Sequence, residues 1–311
     1  MQELLVLLLA PDVWSSTIRL ATPIAYASLA AMICERSGVT NIALEGMLLT
    51  SAFCATIGSY FTGSALVGVA AGVAGSVLLG AIFAWLVLAL AGEQIVIGAA
   101  INVAVLGLFG YLSFVLFQTP GVTPTVNGLD PIAVTGFADI PWIGPVLFRH
   151  TPTVLLLPVA VLFCYLLVFR TPLGLRIRVA GEAPVVDEAA GVNVIRTRFV
   201  ALLIASAVVG FGGVNLSLET LKFYQDSMVA GRGFIALAAN IFGGWTALGG
   251  ALASLLFGFS QALMFRIQIF RIPQEFIFML PYALTLVVLV LGAARRSAAP
   301  AALGKAFRRQ A

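Results

Sequence analysis

The sequence predicts an all-α integral membrane protein of about nine transmembrane helices, within a range of eight to ten. Two observations carry this. Of the 311 residues, 61% are hydrophobic and 10% are charged, whereas a soluble domain carries about a quarter charged residues. Mean hydropathy is +1.07. The apolar residues also fall into runs of about 17–26, the length a helix needs to cross roughly 30 Å of hydrocarbon. Without water to bond the backbone, such runs must be helical. Stretches such as residues 67–90 and 199–218 do not alternate as the strands of a membrane barrel would.

Taken in order, the hydropathy pattern places helices near residues 17–34, 42–59, 65–90, 94–117, 153–169, 199–219, 232–247, 249–265 and 276–292. The apolar stretch before Pro11 and Asp12 has no Lys or Arg ahead of it, so it reads as an interfacial segment rather than a cleaved signal. One transmembrane domain, residues 1–311, therefore divides into a first half (17–117), a proline-rich extracytoplasmic loop (118–152), a cytoplasmic loop (170–198), a second half (199–292) and a basic tail (293–311).

Orientation follows from the basic residues. The loop 170–198 carries Arg170, Arg176, Arg178, Arg196 and Arg198, and the tail carries Arg295, Arg296, Lys305, Arg308 and Arg309. Counting helices outward from the loop puts the tail on the same, cytoplasmic side. Arg36 joins them, making eleven against six outside: Arg19, Arg149, Lys222, Arg232, Arg266 and Arg271. The N-terminus then lies outside. This topology requires both short helices predicted within 232–265 to cross rather than re-enter.

The halves echo each other. Residues 64–68 (SALVG) resemble 246–250 (TALGG), and Ile42-Ala43-Leu44 resembles Ile235-Ala236-Leu237. Opposite orientation of the copies would make an inverted internal repeat, a layout in which cargo passes near the repeat interface. Chance similarity in Gly/Ala/Leu-rich sequence is the competing explanation.

Gly68, Gly72, Ser76 and Gly80 recur every four residues and give one helix a face of small side chains, suited to close packing. Polar groups within the apolar runs are few, and they mark either a wet pathway or a structural bond to a neighbouring helix. Asn41 and Glu45 share a helical face, as do Asn215 and Glu219. Asn41, Glu45, Asn102 and Asn240 are the candidate substrate-pathway residues. Glu219 and the Phe223-Tyr224-Gln225-Asp226 loop read equally as interfacial groups or as a gate.

No catalytic or metal-binding set stands out. Cys34, Cys54 and Cys164 lack pair spacing, and the lone His150 reads as an interfacial side chain. The chain has two lysines, Lys222 and Lys305, and neither lies in a phosphate-cradling Gly-x4-Gly-Lys-Ser/Thr loop. It therefore needs no cofactor of its own and binds no nucleic acid; a membrane enzyme would need acid, base or metal groups clustered at one interface. Glu182 to Gly191 reads as a short surface helix with Pro184 in its first turn and Gly191 as a left-handed stop. Its acidic and small residues, Glu182, Asp187, Glu188, Ala189, Ala190 and Gly191, suit docking into a groove on a cytosolic partner.

The blocks Ser37-Gly38-Val39-Thr40-Asn41-Ile42-Ala43-Leu44-Glu45-Gly46-Met47, Gly174-Leu175-Arg176 through Glu182 with Ala189-Ala190-Gly191, and Gly231-Arg232-Gly233-Phe234-Ile235-Ala236-Leu237-Ala238 resemble permease subunits of bacterial ABC importers. The resemblance is to the nucleoside and simple-sugar branch, related to ribose and branched-chain amino acid permeases. It implies a pore half in the inner (plasma) membrane, paired with a second permease, two cytosolic ABC ATPase subunits and an extracytoplasmic binding (lipo)protein. ATP would be used by the partners, and the segment from Glu182 to Asn193 would be the coupling helix. The Asn-Ile-x-x-Glu-Gly-Met block inclines the expected cargo to a nucleoside, with a ribose- or galactose-type sugar as the alternative. An ion-coupled secondary transporter is a further alternative that the docking segment disfavours.

Overall fold

A computed structural model describes residues 10–133, 136, 139–141, 143–267, 299–305 and 307. Ten α-helices dominate it: α1 (Pro11–Arg36), α2 (Leu44–Thr62), α3 (Ala65–Ala84), α4 (Gln94–Phe117), α5 (Pro152–Arg170), α6 (Pro172–Glu182), α7 (Pro184–Ala189), α8 (Val194–Val214), α9 (Arg232–Phe242) and α10 (Ala247–Ile267). Wider turns extend α3 through Trp85–Ala89 and α8 through Asn215–Leu221. Two two-residue strands, β1 (Ile132–Ala133) and β2 (Arg149–His150), pair antiparallel in the long loop. The helix predicted at 276–292 lies outside the described residues.

Local chemistry fixes many of the helix ends. Proline occupies the first turn of α1, α5, α6 and α7, where its missing N–H goes unused. Glu93 caps α4 by accepting from Ile95 N (3.2 Å) and Val96 N (2.8 Å), Thr171 caps α6 through Gly174 N, and Asn193 caps α8 through Arg196 N.

Among the described residues, six helical stretches are long and apolar enough to cross a membrane: Pro11–Arg36, Ala65–Ala89, Gln94–Phe117, Pro152–Arg170, Val194–Leu221 and Ala247–Met264. They divide by burial. The α1 span is 83% buried, against 22% for α4 and for α5, so α1 is the axis of the molecule and α4 and α5 its outer wall. Around α1 pack α10, α8, α9 and α5, while α2 packs on α3, α8 and α4. Large apolar side chains such as Leu78, Val96, Val103, Tyr111 and Val159 face outward, as a surface solvated by lipid requires.

The small face of α3 meets α2 and α8. A Cβ on Gly72 would lie 2.9 Å from Ala55 Cβ and from Ser51 O and 3.0 Å from Val214, and one on Gly68 2.7 Å from Ala55 O. Ser76 donates to Ser206 O at 2.7 Å, and Gly80 backs onto the same Ser206.

The helix expected over residues 232–247 is corrected. α9 ends at Phe242 and has 11 residues, about 16 Å of helix, which is half the hydrocarbon thickness. The sequence Gly243-Gly244-Trp245-Thr246 forms a turn in which Gly244 (φ 63°) and Trp245 (φ 53°) are left-handed, and this stops the helix. Residues 85–90, expected as plain helix, unwind into the wider turn and end at Ala91 (φ 51°).

Candidate functional site

The contacts sort the loops into two ends. At one, Arg36 donates to Trp245 O (3.0 Å), and Ala302 N and Gly304 N bond Gly181 O and Gly38 O. This end therefore gathers the α1–α2 connection, α6–α7, the α9–α10 turn and the C-terminal segment. At the other, Ser59 bonds Asn127 O, Leu129 N bonds Leu218 O, and Lys222 pairs with Asp130. Tyr224 is fully buried there, against Phe53 and Phe109, with its hydroxyl on Asp226 Oδ1 (2.8 Å). The loop at residues 223–226, which in the sequence reads equally as interfacial groups or as a gate, is thus pinned to the body.

Between these ends lies the start of α9, because its first residues meet the first residues of α2. Glu45 Oε1 accepts from Gly231 N (2.8 Å) and Oε2 from Gly233 N (2.7 Å). A carboxylate there meets the positive end of the helix dipole as well as two amide donors that the helix leaves unbonded. Gly231 turns the chain with φ 79°, and Gly233 lets the two backbones touch, since a Cβ there would lie 2.5 Å from Glu45 N. The chain between Lys222 and Gly231 thus runs inward from one end, and α9 completes the passage to the other. An interrupted crossing of this kind is tolerated at membrane depth only when enclosed by protein or lining a cavity.

Of the candidate pathway residues, three converge at this break. Asn102 on α4 accepts from Gly46 N (2.8 Å) and donates to Ile42 O (3.0 Å), so it splints the first turn of α2. Buried Asn41 faces Cys34 Sγ and Met47 Sδ, each at 3.6 Å, and its Oδ1 has no hydrogen-bond partner. Asn240 lies elsewhere, at the far end of α9.

Asn240 reveals a group that the sequence reading missed. It donates to Glu35 Oε2 (3.0 Å), which also accepts from Trp245 Nε1. Glu35 is 3% exposed. Arg36, the next residue, holds the Trp245 carbonyl, so the last turn of α1 clasps the α9–α10 turn by side chain and backbone. Two carboxylates, Glu45 and Glu35, therefore grip the short helix at its two ends. The available signal was spacing: Ser28 and Glu35 are seven residues apart, on one face of α1. Placed beside Arg36 at a helix end, Glu35 resembled an ordinary interfacial residue.

Glu219 serves α5 as Glu45 serves α9. It accepts from Thr153 N (2.9 Å), Thr153 Oγ1 and Asn215 Nδ2 (2.8 Å). His150 is buried rather than interfacial and contacts Val146 O at 2.7 Å; burial, with Arg19 nearby, pushes its imidazole below the usual range. Among the described residues no cluster of His, Cys, Asp or Glu could hold a metal ion.

At the loop end, α6 and α7 form an angled pair. Glu182 closes α6, and Gly191 is left-handed with φ 81°. Val185 and Val186 are 61% and 63% exposed, as are Ala189, Ala190 and Gly191. Asp187 is 4% exposed with Oδ2 unbonded; burial pushes its carboxyl up, opposed by Arg176. The pair thus presents an exposed apolar tip.

Residues 14–289 match the family described as branched-chain amino acid transport system / permease component. The chain belongs to this permease family. Two curated relatives are similar over nearly the whole permease. The guanosine ABC transporter permease protein NupQ of Bacillus subtilis is 32% identical over 93% of this chain and 94% of its own. The nucleoside ABC transporter permease protein NupC of Lactococcus lactis is 33% identical over 87% and 89%. TsgC13 of Haloferax volcanii, named for a proposed role in glucose transport, is 30% identical over 83% and 78%. No solved structure matches the permease significantly.

Proposed function

We propose that this permease is a pore-forming subunit of an ATP-driven importer for nucleosides, taking cargo from an extracytoplasmic binding protein, in the inner membrane of a bacterium. The observation that carries the reading is kinship along nearly the full length with NupQ and NupC, permeases named for guanosine and for nucleosides. The kinship with TsgC13 keeps a simple sugar as the second reading.

The end that gathers Arg36, Arg176, Arg178, Arg198 and Lys305 is the cytoplasmic one on the positive-inside rule, and this supports a cytoplasmic C-terminus. α6–α7 is then the docking element for a cytosolic ATPase, with Val185 and Val186 as its apolar tip and Glu182, Asp187, Glu188 and the Ala189-Ala190-Gly191 stop setting its shape. The chain itself carries out no covalent chemistry; ATP is spent by the ATPase, and a second permease supplies the other wall of the pore.

Cargo passes beside the break before α9. In this reading Asn41, Glu45 and Asn102 position that break, and Glu45 is the group whose replacement matters most among the three. Glu45→Gln keeps one acceptor oxygen and turns an NH2 toward the other amide, a loss of about 1–3 kcal/mol. Uptake is expected to fall roughly 5- to 150-fold with the protein still in the membrane. Unchanged uptake at equal protein level would remove Glu45 from the mechanism.

The function is tested by uptake of radiolabelled guanosine, other nucleosides and pentoses in cells with and without this chain, each with an intact or an inactivated partner ATPase. Nucleoside uptake lost in both deficient strains is the expected result. Loss of pentose uptake alone selects the sugar reading, and uptake indifferent to the ATPase refutes ATP-driven transport.

A further inference from the structure

The C-terminal segment does more at the loop end than finish the chain. Ala302 N donates to Gly181 O (2.9 Å) and Gly304 N to Gly38 O (3.1 Å), while Ala301 N donates to Glu182 Oε2 (3.1 Å). Arg198, 1% exposed, reaches Ala180 O (2.9 Å) with one terminal nitrogen and Lys305 O (3.2 Å) with the other. Its guanidinium lies 6.0 Å from the Phe307 ring. A buried cation is costly unless its donors are used, so the contact of Arg198 with Lys305 ties the segment to α6 and α8. Phe307 then forms one wall of an open cleft of about 360 Å³, together with Glu188, Val192, Arg196 and Phe199. Glu188, two residues after the exposed Val186 on α7, brings that helix to the cleft.

We propose that residues 299–305 and Phe307 form part of the surface that the ATPase grips, with Phe307 and Lys305 adding an aromatic wall and a positive charge to the face presented by α6–α7. The inference rests on the reading of α6–α7 as the ATPase contact and extends it to a second, distant stretch of chain. The occupant is an edge of the ATPase that is apolar at its centre and acidic at its margin. Apolar chemistry is asked for by Val185, Val186, Phe199 and Phe307; acidic chemistry is asked for by Arg196, which lines the cleft beside Glu188, by Arg176, which lines the concavity next to it, and by the exposed Lys305. Potentials of opposite sign across such a face favour encounter and fix register.

The test is site-specific photocrosslinking in membranes holding the complete transporter with its own ATPase. p-Benzoylphenylalanine is introduced in turn as Val185→p-benzoylphenylalanine, Phe307→p-benzoylphenylalanine and Lys305→p-benzoylphenylalanine. The Lys305 carbonyl that holds Arg198 is unchanged by the last, and guanosine uptake by each variant verifies assembly. Crosslinks to the ATPase from Val185 and from at least one tail position are expected. Crosslinks from Val185 alone overturn the inference and leave the docking role of α6–α7 standing. A crosslink from the tail alone supports the tail contact and removes α7. Absence of crosslinks from all three in assembled transporters overturns both.

Discussion

Replacing Glu35 by alanine is expected to release the α9–α10 turn and to abolish uptake. The carboxylate accepts from Asn240 Nδ2 and Trp245 Nε1 in a site that is 3% exposed. Alanine leaves both donors buried without an acceptor, at about 1–3 kcal/mol each. It also removes the side-chain hold on Trp245, whose left-handed backbone (φ 53°) costs roughly 1–3 kcal/mol to maintain. Arg36 on Trp245 O and the turn's own backbone bonds, such as Trp245 N to Asn240 O, are then left to keep the turn in place. The thermal midpoint of the detergent-purified protein should drop clearly, and uptake should fall to background. Glu35→Gln, which keeps the volume and one carbonyl oxygen, should lie between alanine and the parent. An alanine variant that melts and transports like the parent would show that the clasp does not hold α9.

Gly72→Leu should be comparably damaging for a different reason. Its Cβ alone would approach Ala55, Ser51 O and Val214 at 2.9–3.0 Å, and three further carbons have nowhere to go between α2, α3 and α8. Overpacking of this kind costs about 1–3 kcal/mol and sometimes more, and here it pries apart helices that approach through small residues. Gly107→Leu is the matched control, since a Cβ on Gly107 meets nothing within 4 Å on an exposed face of α4. Fluorescence-detected size-exclusion profiles should show the Gly72 variant aggregated or lost and the Gly107 variant intact. Equal profiles would mean that α3 is not held by its small face.

Helix existence was legible because it depends on local composition: a run such as that of α4 has no alternative in lipid. Helix breaks were less so. The four residues after Phe242 keep an apolar character, so hydropathy continued the helix through them, while the stop is a matter of backbone conformation at Gly244 and Trp245. The polar residues at the α2 start were visible as a cluster, but their partners were not, because Glu45 meets amides 186 and 188 positions away. Glu35 escaped for the same reason: it meets Asn240 and Trp245, 205 and 210 residues on. Main-chain partners leave no trace in side-chain chemistry. The acidic and small character of residues 182–191 did point to a surface helix, whereas the exposed Val185 and Val186 pair and the docking of residues 299–305 emerge only from the packed chain.

The burial of α1 bears on how the molecule is made. The helices that enclose it, α5, α8, α9 and α10, are all synthesised later, so α1 enters the membrane before its protein neighbours exist. Its hydropathy of 1.4 is the lowest of the six spans, and it carries Thr17, Thr22, Ser28 and Glu35 on surfaces that end up wholly inside. Thr17 and Thr22 cover part of this need within the helix, bonding Val13 O and Ile18 O; Glu35 has no such local solution. During synthesis α1 is therefore a poorly lipid-soluble helix awaiting its casing, and Glu35 gains its acceptor role only once Asn240 and Trp245 have been made.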